Sequence, residues 1–185
     1  KMQRQPHRMN KEKVGVIAHN AALYPEKFGR ALKSQIPLIE VDLSLFDGRL
    51  VVAHGYDEFQ TLNASQRELQ NPDLVFRQIY DSGKHAYLDK KDNTFGFNSS
   101  KALPRDVLKD PKSMASSNNH KDLMTLKKKG YAGKILFSID SHDKLSNFME
   151  ANSKKKFEKR EFGVSIRHTL LTEGVSQKLK DMGLL

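Results

Sequence analysis

The chain has 185 residues, no cysteine and a formal net charge of +10 at pH 7. A hydrophobic content of 37% at this length is sufficient for one domain with a sizeable core. The lack of cysteine excludes disulfides, thiolate metal ligands and cysteine nucleophiles. No apolar run approaches the roughly 20 residues of a membrane span. We therefore expect a soluble basic protein, either cytoplasmic or secreted with a signal removed.

Apolar runs and helical periods alternate along the chain. Runs rich in Val, Ile, Leu and Phe predict strands at 14–19, 38–46, 50–54, 85–90, 134–139 and 162–166. Helical periodicity follows in 25–35, 72–83, 121–130, 141–156 and 172–183. This alternation predicts a parallel α/β sheet. The stretch 93–119 is rich in Ser, Asn and Lys, so we expect a loop there with at most one short helix around 103–108.

Four polar residues stand at or near the ends of the first three predicted strands. His19 ends the first run, Glu40 and Asp42 lie two residues apart in the second, and His54 ends the third. Side chains at positions i and i+2 of a strand point to the same face. Glu40 and Asp42 can therefore offer oxygens to one hard cation. Two histidines beside such a site are suited to general acid and base catalysis.

The same stretch resembles the glycerophosphodiester phosphodiesterase family. The motifs that carry the resemblance are His19-Asn20, Pro25-Glu26, Glu40-Val41-Asp42 and the segment 47–55. Asn20 stands where that family has arginine, and Gly55 stands where it has aspartate. Both departures favour the wider superfamily of metal-dependent phosphodiesterases that includes sphingomyelinase D toxins, where the first histidine is not followed by arginine.

Further matches lie downstream. The segment 85–92, HAYLDKKD, resembles the family's Glu-x-Lys strand. The resemblance implies that Asp89 is a third metal ligand, with Asp92 as a competitor, and that Lys91 contacts the substrate phosphate. Asn20, at the arginine position, is expected to bind substrate. The strand 134–140 and the strand and helix of 162–184 are also similar to the family.

The resemblance implies a TIM-barrel-like (β/α)₈ fold that binds Mg²⁺ or Ca²⁺. A complete barrel usually needs about 250 residues, so the barrel is either reduced or incompletely covered by this sequence. We expect a basic N-terminal segment at 1–13 and a phosphodiesterase domain at 14–185. The implied reaction cleaves a glycerophosphodiester or a (lyso)phospholipid or sphingolipid headgroup, with His19 and His54 as acid and base. Attack by a hydroxyl of the substrate itself would give a cyclic phosphate.

Two other functions compete with this interpretation. Basic runs at 127–129 and 154–160 attract phosphates, anionic lipid or nucleic acid. For nucleic-acid binding, the sequence offers no identifiable reading helix, zinc site or aromatic platform, and it contains no tryptophan. An inactive barrel used for binding is the second alternative.

The expected partners are a small-molecule or lipid phosphodiester and the surface of an anionic membrane, without nucleic acid. Four further histidines are expected to be surface or structural residues: His85, His120, His142 and His168.

Overall fold

The computed structural model describes residues 16–68, 70–91 and 103–185. The strands in this part of the chain are β1 (Ile17–Ala18), β2 (Leu38–Phe46), β3 (Arg49–Val52), β4 (His85–Lys90), β5 (Met114–Ser117), β6 (Lys134–Ile139) and β7 (Phe162–Ile166). They form one sheet in the order β1-β2-β4-β5-β6-β7, and β3 pairs with β2 beside this path. All neighbours along the path are parallel, whereas β3 is antiparallel to β2.

Helices connect the parallel strands. They are α1 (Pro25–Lys33), α2 (Tyr56–Thr61), α3 (Ala64–Glu68), α4 (Pro72–Asp81), α5 (Arg105–Lys109), α6 (His120–Lys128), α7 (His142–Asn152) and α8 (Glu173–Asp181), with a 3₁₀ turn at His168–Leu170. Several begin at side-chain caps, such as Asn119 before α6 and Ser141 before α7, which satisfy a free N–H of the first turn. Within the described residues, no helix combines the length and apolar character needed to cross a membrane.

The sheet curls into a half-barrel, so the α/β prediction of a reduced TIM-barrel-like fold is confirmed. Strand β2 is buried on both faces. Ile39, Val41 and Leu43 alternate along it and are all inaccessible to solvent, as expected for a parallel strand covered by helices. Burying each such side chain stabilises the fold by about 1.5–3 kcal/mol. The intervening residues of β2 face the other side of the sheet, and two of them are carboxylates.

The predicted strand bounds are confirmed for β2, β4, β6 and β7 and need adjustment for two others. The observed β1 ends at Ala18, and His19 and Asn20 form the turn that follows it; residues 14 and 15 lie outside the described residues. Strand β3 covers Arg49–Val52 rather than 50–54. The domain division at 13/14 stays a prediction.

The prediction of a loop through 93–119 is wrong in its last part. Strand β5, Met114–Ser117, lies there and pairs with both β4 and β6. Its sequence is MASS, which lacks the β-branched and aromatic residues typical of strands. Pairing on both sides, rather than propensity, makes this segment a strand. The short helix expected around 103–108 is α5, Arg105–Lys109, while residues 92–102 lie outside the described part of the chain.

An aromatic cluster fills the space between β6, β7 and the helices that cover them. Its rings have centroids 5.0–6.1 Å apart in contacting pairs, and they belong to His120, Phe137, Phe148, Phe157 and Phe162. Contacts at these distances add to the stability gained from burial.

Candidate metal and catalytic site

Three carboxylates meet on one face of the sheet. Glu40 and Asp42 share a face of β2, and the parallel register sets Asp42 directly opposite Asp89 of β4. Each of the three residues offers an oxygen, and these oxygens lie within 4.8 Å of one another. Glu40 and Asp42 are only 3% and 4% exposed. We call these three residues the carboxylate cluster.

Asp42 is buried in this cluster, and Lys91 is its one ion-pair partner within the described residues. Burial is the main cause that raises the pKa of Asp42 to about 6, and the charges of Glu40 and Asp89 raise it further against the opposing effect of Lys91. Neither carboxylate oxygen of Asp42 accepts a hydrogen bond within the described residues. A buried carboxylate without donors is unfavourable unless a cation is bound to it. Asp42 Oδ2, which has neither a hydrogen bond nor an ion pair within the described residues, is therefore an oxygen suited to a bound cation.

Lys91 bridges two members of the cluster. Its Nζ donates to Asp89 Oδ2 at 2.5 Å and lies 3.3 Å from Asp42 Oδ1, without hydrogen-bond geometry in the second contact. Burial lowers the pKa of Lys91, but the hydrogen bond and charge of Asp89, followed by the charge of Asp42, outweigh it, so the pKa is raised. The Lys91 backbone N–H donates to the Leu43 carbonyl at 3.1 Å, which fixes the base of this side chain at the end of β4.

Ser116 of β5 completes the surroundings of Asp89. The register pairs Ser116 with Asp89, and the Ser116 hydroxyl donates to Asp89 Oδ1 at 2.7 Å. Ser116 is fully buried. The sequence pattern does not indicate this residue, because Ser116 lies on a strand in the segment for which a loop is predicted.

The turn after β1 is anchored on Glu40. The Asn20 backbone N–H donates to Glu40 Oε2 at 2.8 Å, and Asn20 adopts a left-handed φ of 50°, a conformation that asparagine tolerates better than most residues. His19 Nε2 lies 3.5 Å from the same oxygen, and the His19 side chain is 71% exposed. Glu40 thus holds the turn and orients His19 at the rim of the site. The contact of Asn20 comes from its backbone, while its substrate-binding role stays a prediction.

His54 lies just after β3, the strand that pairs antiparallel with β2. The Ala53 backbone N–H donates a hydrogen bond to the Asp42 carbonyl at 3.0 Å. His54 is the next residue after Ala53. His54 is exposed. His19 therefore contacts the carboxylate cluster, and His54 lies at the surface one residue after a backbone hydrogen bond to Asp42. Their catalytic roles stay a prediction.

No family model and no curated protein matches this chain, whereas solved structures do. The crystal structure of a protein from Silicibacter pomeroyi DSS-3, named "putative glycerophosphoryl diester phosphodiesterase", aligns over 88% of this chain and 76% of its own, with a TM-score of 0.58 and 13% identity. At this identity the likeness shows a common fold.

The carboxylate cluster fits a hard divalent cation. Its donors are all carboxylate oxygens, and two of the three side chains are almost fully buried. Mg²⁺ and Ca²⁺ prefer oxygen ligands, whereas sites for softer metals contain thiolate or several imidazoles. Asp42 Oδ2, which is buried and has neither a hydrogen bond nor an ion pair within the described residues, supports this fit independently of the clustering. Asp92, the alternative third ligand, lies outside the described residues.

The remaining histidines have other surroundings. His85 is the first residue of β4, at the other end of that strand from Lys91, and its Nδ1 lies 2.9 Å from Asp110 Oδ2. His120 belongs to the aromatic cluster. These placements agree with the structural roles expected for the two residues.

Proposed function

We propose that this protein is a metal-dependent phosphodiesterase that cleaves a glycerophosphodiester or the headgroup of a (lyso)phospholipid or sphingolipid. The observation that carries the proposal is the buried carboxylate cluster, in which Asp42 has no hydrogen-bond donor. The motif resemblance over residues 14–55 and the fold shared with a phosphodiesterase-named protein support it. Phosphate diesters are anionic, so they suit a site where a cation lies beside lysine and histidine.

In the proposed reaction, His19 and His54 divide the proton transfers. One imidazole takes the proton of the attacking hydroxyl while the new P–O bond forms, and the other gives a proton to the leaving alkoxide as the old P–O bond breaks. Glu40 orients His19 through the 3.5 Å contact. Lys91 and Asn20 would hold the phosphate against the rim. Mg²⁺ or Ca²⁺ held by Glu40, Asp42 and Asp89 would neutralise charge that develops on the phosphate oxygens.

The identity of the attacking hydroxyl decides the product. Water gives a phosphomonoester and an alcohol. A neighbouring hydroxyl of the substrate, such as the 2-hydroxyl of a lysolipid or of glycerol, gives a cyclic phosphate and the free headgroup alcohol. Both reactions use the same proton transfers, so one site could perform either of them.

Phosphorus NMR of the products tests the proposal directly. Glycerophosphodiesters, lysophospholipids and sphingomyelin should be incubated with the protein in Mg²⁺, in Ca²⁺ and in chelator, with Asp42→Asn as the matched inactive control. We expect a phosphomonoester or cyclic phosphate signal with metal and none with chelator. Activity that persists in chelator with no bound metal would refute the metal assignment. The absence of product from every substrate would refute the proposed enzymatic activity.

We also propose that a basic surface contacts anionic membranes. Lys154, Lys155 and Lys156 are exposed after the end of α7. All three line a cavity of about 500 Å³ beside that helix, and Lys155 and Lys156 also line one of about 790 Å³. The larger cavity has no acidic lining residue and includes Phe137, Phe157 and Phe162. His19 lies at the C-terminal end of the parallel strands. A helix that follows a parallel strand runs back to the N-terminal end of the strands, so the lysines after α7 lie at the opposite end of the sheet from His19. Lysine clusters of this kind attract anionic lipid.

A further inference from the structure

Lys91 occupies the carboxylates that the proposed function assigns to a metal ion. We propose that the Lys91 ammonium is an internal counter-ion that a divalent cation must displace, so that metal binding releases Lys91 for the phosphate of the substrate. The inference rests on the proposed function and gives Lys91 a role in the order of binding. It makes Lys91 a competitor of the metal as well as a phosphate contact.

The contacts of Asp89 show the conflict most clearly. Its Oδ1 accepts the Ser116 hydroxyl at 2.7 Å, and its Oδ2 accepts Lys91 Nζ at 2.5 Å. The oxygen of Asp89 that is not bonded to Ser116 is therefore the one that Lys91 holds. A cation that uses this oxygen must share it with an ammonium group or replace that group.

Asp42 shows the same conflict on the neighbouring strand, β2. Lys91 Nζ lies 3.3 Å from Asp42 Oδ1, and Asp42 is only 4% exposed. A divalent cation bound to both aspartates would lie within a few ångströms of this ammonium. Repulsion between two cations is strong at such separations in a partly buried site, where water screens poorly. Simultaneous occupation of the same carboxylates is therefore unfavourable.

The placement of Lys91 allows its release. The residue follows the last residue of β4, its backbone N–H is held by the Leu43 carbonyl at 3.1 Å, and its side chain retains 19% exposure. Four rotatable side-chain bonds can move the ammonium while the backbone stays fixed. A free lysine ammonium is a compact point charge that binds phosphate well. Metal and phosphate binding should then favour each other, and such coupling is reciprocal.

Calorimetric titration of Mg²⁺ at pH 8 tests the competition without any measurement of turnover. Lys91→Met removes the competing charge, so we expect Mg²⁺ to bind roughly 5- to 100-fold more tightly than to the unmodified protein, the usual range for coupled sites. Lys91→Arg keeps the charge and should bind Mg²⁺ within a few-fold of the unmodified protein. Lys144→Met is the matched control, because Lys144 pairs with Asp140 at 2.8 Å outside the cluster, and it should leave the affinity unchanged.

Equal or weaker Mg²⁺ binding by folded Lys91→Met would overturn the inference. A second measurement decides the matter if that variant does not fold. In ¹⁵N-lysine NMR of the unmodified protein, the Lys91 ammonium signal should be protected from solvent exchange and should lose that protection as Mg²⁺ is added. A Lys91 signal that stays protected at saturating Mg²⁺ would also overturn it.

Inorganic phosphate provides the other half of the coupling. Saturating Mg²⁺ should strengthen phosphate binding more in the unmodified protein than in Lys91→Met, and an equal gain in both would contradict the release of Lys91. The results also separate the two proposals. If Mg²⁺ binds but Lys91→Met does not change its affinity, only the present inference fails. If Mg²⁺ does not bind to the unmodified protein, the metal-dependent function fails with it.

Discussion

One row of side chains crosses the sheet and changes character from one half to the other. The register pairs Asp42, Asp89, Ser116, Leu136 and Gly163 in turn across β2, β4, β5, β6 and β7. The row begins with two carboxylates, passes through a hydroxyl that binds one of them, and ends with an aliphatic residue and a glycine. The row thus changes from charged side chains on β2 and β4 to uncharged residues on β6 and β7.

The two halves have opposite effects on stability. Around β6 and β7 the aromatic cluster gains free energy from burial and ring contacts. Around β2 and β4, two nearly buried carboxylates without a full set of partners lose free energy on folding. Such unfavourable groups are concentrated at functional sites, where the stability of the remaining fold compensates for them. We therefore expect the chemistry to be concentrated at β2 and β4 rather than at β6 and β7.

The largest effect is expected from removing a charge in the carboxylate cluster. Asp42→Asn and Glu40→Gln should each abolish measurable turnover and weaken Mg²⁺ binding in calorimetry, because each removes an anionic oxygen ligand. Circular dichroism should show a folded protein in both cases. Unchanged metal affinity would assign these carboxylates to a structural role and would remove the division between the halves.

The rim histidines should give the next largest effect. His19→Ala and His54→Ala should each lower turnover by roughly 10² to 10⁴, the range for a positioned acid or base. Mg²⁺ affinity should be retained, because neither imidazole belongs to the cluster. The pH profile of each variant should lose one limb. Near-normal turnover in either variant would exclude that residue from the mechanism.

Much of the β2 and β4 region was predictable because local pattern and tertiary structure agree there. The apolar alternate residues of 38–46 mark a strand, and the i, i+2 spacing sets Glu40 and Asp42 on one face. The convergence of Asp89 on them required the resemblance, since the register between β2 and β4 cannot be read from local sequence. The contact of Lys91 with both aspartates was not predicted, because it depends on that register.

Strand β5 shows where sequence pattern is insufficient. Met114–Ser117 is small and partly polar, and it becomes a strand because β4 and β6 supply hydrogen bonds on both sides. Ser116 could be found as a partner of Asp89 only once that pairing was known. Helices α2 and α3 were not predicted for a related reason, since segments of 6 and 5 residues are shorter than two turns and cannot show a repeated helical period.

A substitution in the aromatic cluster around β6 and β7 should lower stability and leave the carboxylate cluster intact. Phe148 is 2% exposed, and its ring contacts those of Phe137 and His120. Phe148→Ala should lower the free energy of unfolding by about 3–5 kcal/mol through loss of burial and creation of a cavity. Chemical denaturation measures this loss, and calorimetry below the transition should show unchanged Mg²⁺ affinity. A tenfold loss of affinity in the folded variant would show that the two halves are coupled.

The pH dependence of the free energy of unfolding should show that the buried charge of Asp42 is unfavourable. In the folded state the pKa of Asp42 is about 6, above its ordinary value of 3.8, so the folded protein binds this proton more tightly than the unfolded chain. In chelator, the contribution of Asp42 to stability should therefore fall as pH rises from about 4 to about 6, by about 3 kcal/mol in total. Asp42→Asn should remove this fall, so its stability relative to the unmodified protein should increase across that interval. A constant difference between the two proteins from pH 4 to pH 7 would contradict the unfavourable charge.

The smallest effect is expected from the exposed lysines after α7. Each of Lys154→Ala and Lys155→Ala should weaken binding to anionic vesicles by about 1 kcal/mol at low salt, and the effect should decline at higher salt because mobile ions screen exposed charges. Turnover of soluble diesters should be unchanged, because this surface is distinct from the rim with His19. Vesicle sedimentation with anionic and with neutral lipid measures the binding. Equal binding to neutral vesicles would refute the electrostatic contact. Submicromolar binding of oligonucleotides at about 0.15 M salt, without diesterase activity on any substrate, would instead favour nucleic acid as the partner of this surface.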